Sequence, residues 1–322
     1  TTAPRWLLEC YIQGDFIHRP RAYDLGVVQA DSLKMDKQAT LEKLLEIKKN
    51  HRSIIASEVD FIQQNRVNLI LADIPFLATE IAKAANVPCW MISNFGWDFI
   101  YRDWGGDFVD VADWISECYG KCDRLFRLPF YEPMKAFNNI TDIGLTGGYP
   151  FMDPEEVKSK WGITTPPEKT VLLTFGGLGL QQIPYDNLRN FPDWQFITFD
   201  KSAPDLPNLI KIKDVKTRPV DFMPICGRVV SKPGFGTFAE ATKLGVPIVS
   251  VTRDNFAEAA FLIEGISDYN YHQILTPSEL FESSWEFLKQ PIKPPRIQKP
   301  IAIDGNEVIA QTVVNFCEKN VS

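Results

Sequence analysis

The chain has 322 residues, 45% hydrophobic and 23% charged, with a formal net charge of −7. This composition belongs to a globular protein and excludes wholesale disorder, collagen-like repeats and a bundle of membrane helices. The acidic balance argues against a nucleic-acid surface, which needs a basic face, and at about 150 residues per domain the length predicts two domains.

The segment from Thr1 to Gln13 lacks the charged and apolar regions of a signal peptide. It reads as the end of a strand and its loop, with residues expected upstream of Thr1. Residues 38–66 place apolar side chains at three- and four-residue intervals and read as helices. An apolar run at 67–73, ending in Asp73, reads as a buried strand. A helix over 75–87 opens on Pro75, and a second buried strand follows at 88–93. Together they make one β-α-β unit with parallel strands. Further strands are expected at 123–129, 170–176, 194–199 and 209–214. The β-α-β design then recurs as strand 226–231, helix 236–245 and strand 246–251. Both helices stop at a Val-Pro pair, Val87-Pro88 and Val246-Pro247, because proline ends a helix and tolerates the start of a strand.

Alternating strands and helices predict an α/β protein built on parallel sheets. The polar segment 151–170, which carries Pro154, Pro166 and Pro167, separates two Rossmann-like halves, 1–150 and 151–303. A final helix within 304–322 is expected to pack back on the first half. The six cysteines are dispersed, as reduced thiols are, which points to a cytoplasmic protein. No apolar stretch approaches the roughly 18 residues of a membrane-spanning helix.

Four segments carry candidate chemistry. In the first, a strand leads through Lys232, Gly234, Gly236 and Thr237 into a helix. Glycines let backbone amides approach an anion, the helix N-terminus adds positive potential, and Lys232 adds a full charge, so a phosphate or diphosphate is the natural guest. Glu240, one turn on, is placed to accept from sugar hydroxyls. The alternative reading is a tight strand–helix turn whose glycines serve packing. The segment also fits G-x-G-x-x-A, with Asp254 twenty residues after Gly234, as a dinucleotide fingerprint does. In the second segment, Gly176, Gly177 and Gly179 end a strand either in a loop that exposes amides at the carboxyl end of the sheet or in an ordinary glycine turn. The third groups Arg253, Asp254, Asn255 and Glu258 at another strand end, where acidic and amide groups suit sugar hydroxyls or simply cap a solvated helix. The fourth, residues 93–108, mixes aromatic rings with Asn94, Trp97, Asp98, Arg102 and Asp103. It reads equally as an acceptor cleft or as core, and Asp98 and Asp103 are candidate bases if they face a cleft. His18, His51 and His272 have no metal-ligand spacing, so no metal site is expected.

Taken together, these residues resemble the GT-B glycosyltransferases. Gly234-Phe235-Gly236-Thr237, Glu240, Gly245-Val246-Pro247 and Asp254-Asn255 follow the order of their nucleotide-sugar site. The resemblance is closer still to the glycosyltransferase-like N-terminal domain of plant L-arabinokinases, with SNFGWDFIY (93–101) its most specific stretch. It implies two Rossmann-like domains with parallel sheets facing a cleft, and a UDP-sugar donor on the second. The helix N-terminus would hold the diphosphate and Glu240 the ribose, Asp254-Asn255 would lie near the donor sugar, and Asp214 and Val215 near the base. The acceptor would approach Asn94, Trp97, Asp98 and Arg102. The family's usual base is a histidine after the first strand, which would lie upstream of Thr1. The implied reaction is metal- and cofactor-independent sugar transfer to an acceptor hydroxyl, with peripheral membrane contact open if the acceptor is lipid-linked. A non-catalytic sugar-nucleotide sensor and an NAD(P)-dependent oxidoreductase are the alternatives.

Overall fold

A computed structural model describes residues 1–29, 35–175, 183–253 and 256–320. The chain divides into two compact units. Among the described residues the first comprises Thr1–Gln29, Met35–Gly144 and the chain from Asp304 onward, and the second lies within Leu145–Ile303.

The first unit begins with α1 (Arg5–Glu9) and a long α2 (Lys37–Gln64), followed by β1 (Ile70–Ala72), α3 (Leu77–Ala85) and β2 (Cys89–Ser93). Next come α4 (Trp97–Trp104), α5 (Phe108–Tyr119), β3 (Arg124–Arg127) and β4 (Ile140–Asp142). Its four strands lie parallel in the order β1-β2-β3-β4. Where the pattern over 38–66 predicts more than one helix, α2 is continuous. No Gly or Pro interrupts it, Asp36 caps it by accepting from the Ala39 amide at 2.9 Å, and the polar run at 48–53 is only its wetter stretch. Glu58 on α2 is buried and anchors the N-terminal segment, accepting from Arg19 and Arg21 at 2.8 and 2.9 Å and from the Tyr23 hydroxyl at 2.8 Å. Strand β4, with no buried residue, gave no apolar signal in the sequence.

The second unit runs α6 (Pro154–Trp161), β5 (Thr170–Thr174), β6 (Gln195–Thr198), β7 (Leu209–Lys211) and α7 (Pro219–Phe222). It continues with β8 (Arg228–Ser231), α8 (Phe235–Lys243), β9 (Ile248–Val251), α9 (Glu258–Tyr269), β10 (His272–Leu275) and α10 (Pro277–Phe281). Six parallel strands lie in the order β10-β9-β8-β5-β6-β7. Every residue of β5, β8 and β9 is buried, which is why each strand is built around apolar residues on both faces, with Arg228, Ser231 and Ser250 set among them. Val171, Leu173, Phe196, Val230 and Val249 share one core cluster with the fully buried Trp285, whose indole N–H donates to the Leu280 carbonyl at 2.7 Å. The C-terminal helix α11 (Gly305–Asn320) belongs to the first unit, where Phe316 packs edge-on against Trp90 at 5.1 Å.

The two Val-Pro stops share a cause. Helix α3 ends on Asn86 at φ 56° and α8 is followed by Gly245 at φ 68°, both left-handed. In each, the next valine amide donates back across the turn, Val87 to Ala82 and Val246 to Ala241, at 3.0 and 2.9 Å. Proline then opens the strand, where no further helical bond is needed.

Chain order places a switch point in the second sheet. The chain moves outward from β5 through β6 to β7, then returns to the other side of β5 as β8. Thr174 pairs with Ser231, so the carboxyl ends of β5 and β8 open side by side, the position where ligands bind in open α/β sheets. Leading into β8, Gly227 lies under the chain: a Cβ there would meet the Pro167 carbonyl oxygen at 2.5 Å and the Glu168 Cα at 2.8 Å. We expect Gly227→Ala to destabilise the protein by about 1–3 kcal/mol, as overpacking against backbone does. Thermal unfolding followed by calorimetry checks this, and an unchanged melting temperature would show that the Pro167 turn moves aside.

Candidate functional site

The switch point of the second unit carries the first candidate segment. Lys232 follows β8 directly, and α8 opens three residues later with Gly234 at its N-cap in extended conformation (φ −166°). No side chain among the described residues caps this end, where the first helical amides have no intrahelical partner. Nor do the described residues require these glycines for packing: among them a Cβ on Gly236 would meet nothing within 4 Å, and one on Gly234 only a carbonyl oxygen at 4.0 Å. Of the two sequence readings of this turn, tight packing of the glycines finds no support among the described residues.

Electrostatics at this edge are positive. Burial first, and then the neighbouring Arg253, push the Lys232 ammonium down to about 8, with Glu258 opposing them. Glu258 opens α9 and is buried. Ser231 Oγ, beside Lys232, is buried with no hydrogen-bond partner among the described residues.

Glu240 is held as well as placed. Its Oε1 accepts from the Gly148 amide at 3.0 Å, and burial pushes its carboxyl above the usual range against that bond. The same stretch is fastened at three further points. Lys243 donates to the Gly147 carbonyl at 3.1 Å and lies over the Tyr149 ring. Arg218, in a buried ion pair with Asp221 at 3.0 Å, donates to the Tyr149 carbonyl at 2.6 Å. The Phe151 amide donates to Asp221 at 2.9 Å. Residues 147–151 thus form a strap across α7 and α8. Sequence reasoning missed this strap, whose partners lie some seventy to ninety-six positions away and follow no local pattern.

After β7, Asp214 is exposed and accepts from the Lys216 amide at 3.0 Å and the Thr217 hydroxyl at 2.9 Å, which hold its carboxyl below the usual range. Val215 beside it is 46% exposed. Gly176, Gly177, Gly179, Asp254 and Asn255 lie outside the described residues.

The first unit distributes its expected acceptor residues unevenly. Asn94 is buried and donates to the Phe130 carbonyl at 3.4 Å. Trp97 stacks on the fully buried Tyr101 at 5.7 Å, so part of the aromatic run is core. Arg102 pairs with Asp113 at 2.8 Å on the surface, and Asp103 is exposed. Asp98 has its Oδ1 buried without a hydrogen-bond partner among the described residues, where a Cβ on Gly96 would strike it at 2.3 Å, and burial pushes its carboxyl up to about 6.

Three carboxyls not singled out from sequence share this behaviour. Glu132 accepts from the Met134 and Gly96 amides at 2.6 and 3.2 Å, and burial with the nearby Asp98 pushes it up to about 7. Asp24 is pushed up to about 6 by burial and by Asp73, itself raised by burial. Asp24 and Asp73 line one cavity of about 880 Å³ along β1. Their signal is absent from sequence because nothing local distinguishes a buried aspartate from a solvated one.

With this geometry in hand, comparison with known proteins identifies the class. No family model matches the chain. Among solved structures it resembles the glycotransferase of kitacinnamycin with a TM-score of 0.54 and 17% identity, covering 82% of this chain and 78% of that one. It also resembles UDP-GlcNAc 2-epimerase from Neisseria meningitidis, solved with UDP-GlcNAc bound, with a TM-score of 0.52 and 16% identity over 84% and 82% of the chains. The chain has the GT-B fold, which glycosyltransferases and such epimerases share. In sequence it is 31% identical over 297 residues to L-arabinokinase of Arabidopsis thaliana, an alignment covering 88% of this chain and 28% of that protein. The chain therefore spans less than a third of that relative's length.

Two outcomes follow from the site. Gly236→Ala should leave the melting temperature unchanged or slightly raised, since alanine is the better helix former and meets no neighbour, while weakening pyrophosphate binding several-fold; calorimetry on both quantities tests it, and unaltered binding would detach the anion from this turn. For the carboxyls, a folded-state pKa raised above its unfolded value gives stability that is complete at low pH and lost as pH rises through the folded value. Melting temperature should therefore fall between pH 5 and 7.5 as Asp24, Asp98 and Glu132 ionise, and Asp98→Asn should shrink the fall. A flat profile in that window would contradict the burial of these groups.

Proposed function

We propose that the second unit binds a UDP-sugar and that the protein transfers the sugar to an acceptor hydroxyl. One observation carries the reading: a helix N-terminus that no described side chain caps, fronted by glycines that no described neighbour requires, opens beside Lys232 at the switch point of a parallel sheet. Helix N-terminal amides bind phosphates, and a fixed dipole with a cation stabilises the charge that develops as the diphosphate departs. The step breaks the bond between the anomeric carbon and the diphosphate oxygen. It forms a bond from that carbon to the acceptor oxygen, whose proton passes to a base. The transfer is independent of a metal, so it is expected to survive chelation by EDTA.

Glu240, with one carboxylate oxygen given to the Gly148 amide, offers the other to the ribose hydroxyls. Asp214 and Val215 lie toward the base, Glu258, Asp254 and Asn255 toward the donor sugar, and the loop of Gly176, Gly177 and Gly179 beside the diphosphate. The acceptor is received by the first unit around Asn94, Trp97, Asp98 and Arg102. No helix among the described residues is long and apolar enough to cross a membrane, and we place the protein in the cytoplasm.

The fold is also that of a UDP-GlcNAc 2-epimerase, so product analysis is part of the test. Calorimetric titration with UDP, GDP, ADP and NADH should give saturable binding for UDP alone. Incubation with UDP-sugars and candidate acceptors should release UDP with a glycosylated product. Glu240→Ala should weaken UDP by about tenfold, the loss of a charged hydrogen-bond acceptor, whereas Glu240→Gln keeps the Gly148 contact and should lose less. Binding of NADH instead of UDP would overturn the reading, an epimerised sugar would replace transfer by epimerisation, and UDP binding without turnover would make the protein a sensor.

A further inference from the structure

The neighbour of Lys232 has no place in the reading so far. Strands β8 and β9 are adjacent and parallel, with Ser231 opposite Ser250. Lys232 follows the end of one, and Arg253 lies two residues past the end of the other. Arg253 is 9% exposed, with its guanidinium over the Phe256 ring at 4.3 Å. Two cations thus converge at neighbouring strand ends, beside the positive end of α8, with Glu258 at the head of α9 as the facing carboxylate. Like charges brought together away from water repel strongly, and a polyanion bound between them relieves that repulsion.

We propose that Arg253 and Lys232 form a two-cation clamp on the terminal phosphate of the nucleotide, which makes the site selective for a diphosphate over a monophosphate. This rests on the reading that the second unit binds a nucleotide diphosphate, and it adds Arg253 as a ligand. Lys232 contributes a point charge, and Arg253 a planar fork that holds two oxygens of one phosphate.

The clamp has a consequence that a merely structural arginine lacks. Burial and the Arg253 charge hold Lys232 near half protonation at pH 8, with Glu258 opposing them. A diphosphate favours the ammonium form, and its own phosphates are already ionised at that pH. Binding at pH 8 therefore takes up about half a proton per site. Affinity for a diphosphate then falls as pH rises above 8, the sign expected when the binding form is the protonated one.

The experiment is calorimetric titration of the full chain at pH 8 with UDP, UMP and uridine, in buffers of different ionisation enthalpy. Wild type should bind UDP much more tightly than UMP and take up protons with UDP. Arg253→Gln should weaken UDP by about tenfold or more, the loss of a charge-assisted contact, and alter uridine little. Arg253→Lys should recover part of the loss. Lys232→Arg, always charged, should bind UDP with no proton uptake. If wild type binds no UDP, the nucleotide reading itself fails. If wild type binds UDP but without proton uptake and no better than UMP, or if a folded Arg253→Gln keeps wild-type UDP affinity, the clamp is overturned while the nucleotide reading stands. The wild-type measurements decide the question even if the Arg253 variants do not fold.

Discussion

A parallel strand buried on both faces can expose polar chemistry only at its ends. In the second unit β5, β8 and β9 are wholly buried, and the sheet reverses its order between β5 and β8. Charged and amide groups therefore gather at the carboxyl edge of that pair, and Lys232, Arg253 and the first amides of α8 meet there. The site is a product of topology before it is a product of any one side chain.

Glycines mark where the protein yields space and where it fills it. Gly227 is pressed against the Pro167 turn, where a Cβ would meet backbone, while a Cβ on Gly236 would meet no described residue within 4 Å and one on Gly234 only a carbonyl oxygen at 4.0 Å. The first serves packing, and the other two are not held to glycine by any described neighbour. Among the described residues no side chain caps helix α8, whose N-terminus carries the positive end of its dipole.

Around this edge the unit spends several charged groups on holding itself in shape. The buried Arg218–Asp221 pair and the Glu240 and Lys243 contacts fasten residues 147–151 over α7 and α8. Glu240 belongs both to the strap and to the face of the helix that carries the glycines. A carboxylate pinned at one oxygen is pre-oriented at the other, so binding there forfeits little side-chain entropy. In the first unit the buried Glu58 is paired with Arg19 and Arg21, whereas burial raises the carboxyls of Asp24, Asp98 and Glu132.

The repeated β-α-β units, the Val-Pro stops and the strand–glycine–helix turn were legible because each is a local pattern: apolar periodicity, a proline, a left-handed cap within a few residues. The resemblance in SNFGWDFIY and in the 232–247 segment carried the fold class, which the structural relatives share. Illegible were the pairings between distant positions: Gly148 with Glu240, Glu58 with Arg19 and Tyr23, and Lys232 with Arg253. So was the burial that raises Asp24, Asp98 and Glu132. By itself the sequence determined the apolar strands, the helices of both β-α-β units and the glycine turn after β8, because those depend on neighbours along the chain, but not β4 or the continuity of α2. Only the tertiary structure decided which charges face one another and which lose their water, because Coulomb energy and desolvation depend on distance and dielectric, quantities that chain order does not contain.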